Sequence, residues 1–347
     1  MKVGLGLYSR LLTPENLRFA KQIGATHIVA HLPDWTSSGV RGIPPTYPSP
    51  LWSYDELRDL KAMVNAEGLE LAAIENFEPA HWHDILLDGP RKAEQMEGLK
   101  TIIRNMGKAD IPIMGYNFSI AGVWGRTRGN WARGGARSVG YVEAEAPEQT
   151  PIPNGMVWNT VYDPNAPPGT IGTVTEAQLW SRLEYFLKEL VPVAEEAGVR
   201  LAAHPDDPPL PVLRGTARLV YKPELYQRLL DIVPSYSNAL EFCQGTIAEM
   251  QGEMDVYTAI ERYASQGKIA YVHFRNVRGK VPNYYEVFID EGDVDMLRAL
   301  ELYYKHGYDG VLIPDHTPAV ECSAPWHAGM AYAIGYMRAA IQMITRG

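Results

Sequence analysis

Four short stretches of the chain set a metal-ligating residue at the end of an apolar run: HPDDPP at 204 to 209, EFCQG at 241 to 245, VHFRN at 272 to 276 and PDH at 314 to 316. His204, Cys243, His273 and Asp315 each close such a run. In a barrel of parallel strands the C-terminal strand ends meet at one mouth, where ligands and catalytic groups gather. Two imidazoles, a thiolate and a carboxylate can hold a divalent cation and leave a position for substrate. The set is too oxygen-poor for a magnesium or calcium cage, whereas Mn, Fe(II), Co and Zn accept mixed nitrogen, sulfur and oxygen donors. Donor chemistry alone leans to Fe(II) or Zn. Each residue also has an ordinary use: a strand-end His hydrogen-bonds, a lone Cys fills a core, an Asp pairs with an Arg. Four together, each at a strand end, favour the metal.

Other residues in reach of such a mouth could move protons or hold an anion. His316 follows Asp315 directly, and its reference pKa of about 6.5 suits acid or base work near neutrality. Tyr332, at the start of the last helix, offers a phenol, although in MAYAIGYMRA it also reads as a core-facing aromatic. Arg275 lies two residues beyond His273 and so shares its strand face, and Arg126 approaches from the segment after the fourth strand. Either could clamp a carboxylate, and either could instead pair with an acidic neighbour. Asp206 and Asp207 could orient His204 or bind substrate hydroxyls. Asn117 and Glu75 are further polar strand ends facing the same mouth.

The elements that must position these groups alternate for nearly the whole length. Strand-like runs cover Lys2 to Tyr8, His27 to Leu32, Leu69 to Asn76, Ile111 to Phe118, Val199 to Pro205, Asn238 to Gln244, Ile269 to Asn276 and Gly310 to His316. Helical spacing of apolar residues falls at Pro14 to Ile23, Tyr54 to Glu67, Pro90 to Ala109, Glu176 to Ala197, Lys222 to Ile232, Asp255 to Gln266, Val294 to Lys305 and Trp326 to Thr345. Thr13 with Pro14 and Ser53 with Glu56 read as helix starts, Gly68 and Gly198 as helix stops. Eight β/α units predict an α/β fold, a (β/α)8 TIM barrel forming one domain over 1–347. Residues 119–175 break the rhythm. They are rich in Gly, Pro, Asn and Arg and predict an irregular excursion on the mouth side, a lid or an oligomer contact.

Composition fits an enzyme of this kind. With 46% hydrophobic and 21% charged residues there is ample material for a core. A formal charge of −9, from 32 Lys plus Arg against 41 Asp plus Glu, argues against a nucleic-acid surface and for a small polar substrate. The start MKVGLGLYSR lacks secretory-signal features and no apolar stretch is long enough for a bilayer, so the expectation is a cytoplasmic protein without a membrane partner. Two cysteines, Cys243 and Cys322, make a disulfide framework improbable.

Several segments together resemble mannonate dehydratase: PVAEEAGVRLAAHPDDPP (192 to 209), the Cys243 strand with its following Gly-Thr pair, YVHFRN, EVFIDEGDVDM (286 to 296), PDH, and GYNF (115 to 118) followed by Trp124 and Arg126. HPDDPP is the most specific piece. The resemblance implies a TIM barrel related to xylose isomerase, a homo-oligomer, and conversion of D-mannonate or a closely related aldonic acid to 2-keto-3-deoxy-D-gluconate with loss of water. It also implies Mn(II), often Fe(II), held by residues matching His204, Cys243, His273 and Asp315, with Zn(II) or Co(II) as lesser alternatives and no organic cofactor. His316 and a downstream Tyr, matched to Tyr332, would move the protons. After PDH this chain departs from the family, with Thr317 and Pro318 where Gly and a basic residue are common. Two rivals frame the expectation: a xylose isomerase-like sugar isomerase or epimerase, against which Cys243 and HPDDPP weigh, and a non-catalytic sugar-acid-binding barrel.

Overall fold

In the computed structural model, which describes residues 1–33 and 50–346, eight parallel strands close into a barrel. They are β1 (Lys2–Tyr8), β2 (His27–His31), β3 (Glu70–Glu75), β4 (Ile113–Tyr116), β5 (Arg200–Ala203), β6 (Asn238–Cys243), β7 (Ile269–His273) and β8 (Val311–Ile313). Each strand pairs with its sequence neighbours, and β8 returns to β1 through Lys2 with Val311 and Val3 with Leu312. All eight expected strands are present, with ends shifted by a few residues.

The two-residue period of a strand decides what faces in. Val29, Ala73, Ile113, Ala202, Ala239, Tyr271, Val311 and Ile313 belong to one small buried cluster, which Ala72 and Ala270 join from the alternate positions. Their neighbours Ile28, Ile74, Met114, Leu201, Leu240, Val272 and Leu312 belong instead to the large cluster shared with the helices. Counting on in steps of two from the inner set leads to His31, Glu75, Asn117, His204, Glu241 with Cys243, His273 with Arg275, and Asp315. The apolar interior therefore ends, strand by strand, in the polar residues of the mouth.

Helices surround the barrel, and their ends follow local chemistry. Thr13 and Ser53 cap the helices Pro14–Ile23 and Tyr54–Ala66, the latter with a full capping box from Glu56, and Thr175 with Gln178 does the same for Glu176–Ala197. Gly198 ends the last of these in the left-handed conformation at φ 69°.

Residues 119–175 are more ordered than their composition predicts. Thr127–Ala132 and Ala136–Val142 form strands that join Asn283–Glu286 and Val277–Lys280, which follow β7, in a four-stranded antiparallel sheet. Alternation along TRGNWA is weak, and the partner strands lie more than a hundred residues away. Local sequence therefore carries little of this pairing. A helix at Pro79–Leu87 and a short one at Gln244–Glu249 were also not expected from spacing.

Candidate metal centre at the barrel mouth

His204, Cys243 and His273, from the ends of β5, β6 and β7, bring ligand atoms within 4.8 Å of one another. His204 Nδ1 lies 2.6 Å from the Pro205 carbonyl oxygen, so it donates there and leaves Nε2 as the nitrogen available to a cation. Cys243 is fully buried, and Arg275 Nη2 and Thr246 Oγ1 lie 3.6 and 3.1 Å from its sulfur. Burial alone would raise this thiol; Arg275 and His204 outweigh it and hold Cys243 well below the usual thiol range, as the ligand form requires. Burial would likewise lower His204, but the Glu241 carboxylate and the Cys243 thiolate bring it up to about 9. His273 is also held above its ordinary value, against burial, by Asp315, Glu75 and Glu241.

Asp315 stands on the other side of His273, with Oδ2 3.6 Å from a buried Nδ1 that has no hydrogen-bond partner. Its backbone sits in the left-handed region at φ 61°, a conformation Asp adopts more readily than most residues and one often found at functional sites. Burial would raise its carboxyl, but His316 and His273 hold it well below the usual carboxylate range. The donor types fit a divalent transition ion. The ionised thiolate and the His204 and His273 rings form the close cluster, and the ionised Asp315 beside His273 would complete a four-donor set.

The other predicted residues divide. His316 Nδ1 lies 3.1 Å from both Glu286 oxygens and Nε2 3.4 Å from Asp315. Its side chain keeps 31% exposure, so it borders the open mouth. Arg126 pairs with Asp207 and lies 3.4 Å from Glu286, yet its Nε is unpartnered. Glu75 lies at the mouth's floor, 3.1 Å from both Tyr271 Oη and His273 Nε2. Burial would raise it, but His31 and His273 bring it down to about 2.

Five expectations need correction. Tyr332 is 41% exposed; its hydroxyl accepts from Arg133 Nη2 at 3.3 Å and its ring meets Phe288, so the phase of the last helix turns it away from the ligand cluster. Asp206 accepts the backbone amides of Leu219 and Val220 at 2.8 and 2.9 Å and pairs with Arg218, leaving no oxygen for a substrate hydroxyl. Asn117 Nδ2 donates to the Pro205 carbonyl at 2.9 Å and so braces the turn that carries His204. Arg275 is enclosed by Glu249, Glu286, Asp207 and Asp315 at 2.6 to 3.3 Å, so its guanidinium already has acidic partners on every side. Asp207 joins Arg275, Arg126 and Tyr284, whose hydroxyl donates at 2.7 Å, rather than facing open space.

Sequence reasoning missed Glu241, Glu249, Thr246, Tyr271, Tyr284 and the role of Glu286. Glu241 was findable, since two residues before Cys243 is the same strand face. Tyr284 and Glu286 reach the site only through the antiparallel sheet.

Among the described residues no helix is long and apolar enough to cross a membrane. The family model for D-mannonate dehydratase (UxuA) matches residues 16–344. A mannonate dehydratase of Streptococcus equi subsp. zooepidemicus is 32% identical over 275 residues, covering 76% of this chain and 74% of the relative. Mannonate dehydratase 2 of Halalkalibacterium halodurans is 28% identical over 311 residues, 86% of each chain. Among solved structures, mannonate dehydratase from Streptococcus suis serotype 2 superposes with a TM-score of 0.80 at 28% identity, covering 100% of this chain and 94% of that one. A xylose isomerase domain protein from Planctomyces limnophilus shares the fold, with a TM-score of 0.60 at 13% identity over 100% of this chain and 99% of that one.

Proposed function

The chain belongs to the D-mannonate dehydratase family, and from that membership we propose that it is a hydro-lyase converting D-mannonate, or a closely related aldonic acid, to 2-keto-3-deoxy-D-gluconate and water. The observation that carries this reading is the cluster of His204, Cys243 and His273 at three neighbouring strand ends, with Asp315 beside it. These four residues would hold the cation, for which we propose Mn(II), with Fe(II) as the alternative. When bound, such an ion withdraws charge from the sugar acid's carboxylate and adjacent hydroxyl, which makes the C2 proton easier to remove.

The chain's own groups supply the rest. His316 borders the ligand cluster and the open mouth, so it is our candidate for proton transfer at the substrate; Glu286 on Nδ1 orients its ring. Burial would lower His316, but Asp315 and Glu286 raise it; a cation on Asp315 would oppose that rise and leave the imidazole free to take the C2 proton. Tyr8 is the better phenol for the second transfer. It ends β1, stacks on His31 with ring centroids 4.5 Å apart, and is kept protonated by burial and by Asp315 and Glu75. A protonated phenol suits delivery of a proton to the departing C3 hydroxyl. Arg126, with its free Nε, is the group we assign to the substrate carboxylate. The sheet built from residues 127–142 and 277–286 then acts as a lid that carries this arginine.

Product analysis tests the reading. With Mn(II) and D-mannonate the chain should yield a 2-keto-3-deoxy acid, and Arg126→Ala should raise KM by an amount equivalent to about 2 to 5 kcal/mol. A product retaining all its oxygens would instead make the chain an isomerase or epimerase. No turnover on any C5 or C6 aldonic acid would favour a binding protein.

A further inference from the structure

A second group of donors lies on the opposite nitrogen of His273 from Asp315, and the metal centre above does not use it. Glu75 and Glu241 each bring a carboxylate oxygen to 3.1 Å of His273 Nε2, and His31 Nδ1 lies 3.4 Å from the other Glu75 oxygen. The protons available here are too few. Tyr271 has one hydroxyl proton and directs it to Glu75 Oε2 at 3.1 Å, and His273 Nε2 points to the same atom. Glu241, with no solvent exposure, keeps both oxygens without a hydrogen-bond partner, and the buried His31 Nδ1 is unpartnered as well. An unsatisfied buried carboxylate beside a second one is costly, so the arrangement calls for a positive charge. Gly115 makes the room: a Cβ there would come within 2.6 Å of Glu241 Oε2 and 2.2 Å of the Tyr271 hydroxyl.

We propose that the barrel seats a second divalent cation on the Nε2 side of His273, held by Glu75, Glu241 and His31. Donors bound at about 2.1 Å to one ion lie roughly 3 to 4 Å from one another, and the 3.4 Å between His31 Nδ1 and a Glu75 oxygen falls in that range. The Glu75, Glu241 and His273 donor atoms all lie within 4.8 Å of each other. With two carboxylates in place of a thiolate, the inner seat is the harder of the two and suits Mn2+.

Equilibrium dialysis of the full chain against rising Mn2+, with bound metal counted per chain and its electron paramagnetic resonance recorded, tests this. The parent chain should saturate at about two ions, with spin coupling between neighbouring Mn2+ ions. Glu241→Gln and Glu75→Gln, both near-isosteric, should each bind about one ion and lose the coupled signal, and Cys243→Ser should keep the inner ion. Circular dichroism controls for folding, and if one glutamine variant fails to fold the other decides. Saturation of the parent at one ion, or unchanged stoichiometry in the folded glutamine variants, overturns the proposal. If Cys243→Ser binds as much metal as the parent while the glutamine variants bind less, the inner seat stands and the Cys243 ligand assignment fails.

Discussion

Strands β2 and β3 carry a histidine–glutamate pair at each end, and the two pairs behave as different chemistry. At the base, His27 Nε2 lies 3.6 Å from Glu70, whose side chain is 79% exposed. At the mouth, His31 Nδ1 lies 3.4 Å from Glu75, and those side chains are 7% and 6% exposed. The separations are nearly equal, so distance does not distinguish them. Solvent does: water screens the lower pair, whereas the upper pair sits among His273, Glu241 and Asp315 with little water to share the charge. Polarity at a strand end therefore marks a site only when the fold also removes water from it. The base also carries the exposed pairs Lys2 with Asp309 and Lys61 with Asp110, while the arginine network of the mouth is enclosed.

The largest effect should follow from removing a ligand at the mouth. Cys243→Ala and His204→Ala are expected to lose the outer ion and to fall to background turnover while keeping the fold, because the barrel's apolar clusters do not depend on either side chain. Elemental analysis with circular dichroism reads both. Parent-like metal content in both variants would mean that these strand ends are no more special than those at the base.

Next in size is the contrast between His316 and Tyr332. His316→Asn should slow single turnover by roughly 10²- to 10⁴-fold with substrate still bound, the range for a proton-transfer group. Tyr332→Phe removes only an exposed contact with Arg133 and should turn over like the parent. A large loss for Tyr332→Phe would show that the last helix moves toward the mouth when substrate binds.

Much of this mouth was legible before any coordinates. The eight strands follow from apolar runs of the right length, and His204, Cys243 and His273 follow from the place of polar residues at their ends. Glu241 was legible in principle, but in NALEFC it sits inside a run that otherwise reads as buried strand. Tyr332 failed for a different reason. Whether a helical residue faces the barrel depends on how the last helix packs, and MAYAIGYMRA offers apolar residues on more than one face. The enclosure of Arg275 was not legible, because Glu249, Glu286 and Asp207 come from three separate connections. Glu286 among them is carried by the sheet that joins residues 127–142 to 277–286.

A moderate effect is expected from pH, with a sign that metal reverses. Without metal, His273 and His316 are held above their ordinary values, so each stabilises the fold fully below about 6.5 and loses that contribution as pH rises through its folded value. Glu241, raised by burial and by Glu75, acts with the same sign from lower pH. Cys243 and His204 largely cancel between about pH 6.5 and 8.5, since the folded state holds the proton on His204 and the unfolded state holds it on the thiol. The Tm of metal-free protein should therefore fall from pH 6 to 9. Cation binding expels these protons, so the rise in Tm produced by saturating Mn2+ should grow over the same interval. A metal-free Tm that climbs with pH would show that the mouth is wetter than its burial indicates.

The smallest effect belongs to the base of the same two strands. Glu70→Gln removes the charge opposite His27 at an exposed position, where a pair of this kind contributes about 0 to 1 kcal/mol. The parallel pairing of β2 with β3, including the register of His27 with Glu70, is a backbone matter and does not need the carboxylate. Stability should shift by no more than about 0.5 kcal/mol, and metal content and turnover should match the parent. The comparison is sharpest against Glu75→Gln, five residues further along β3, which changes the same functional group at a buried position. Denaturant midpoints and bound metal for the two variants would be measured side by side. Equal effects would mean that burial does not separate the two ends of the barrel, and the distinction between a solvated charge pair and a cation seat would fall with it.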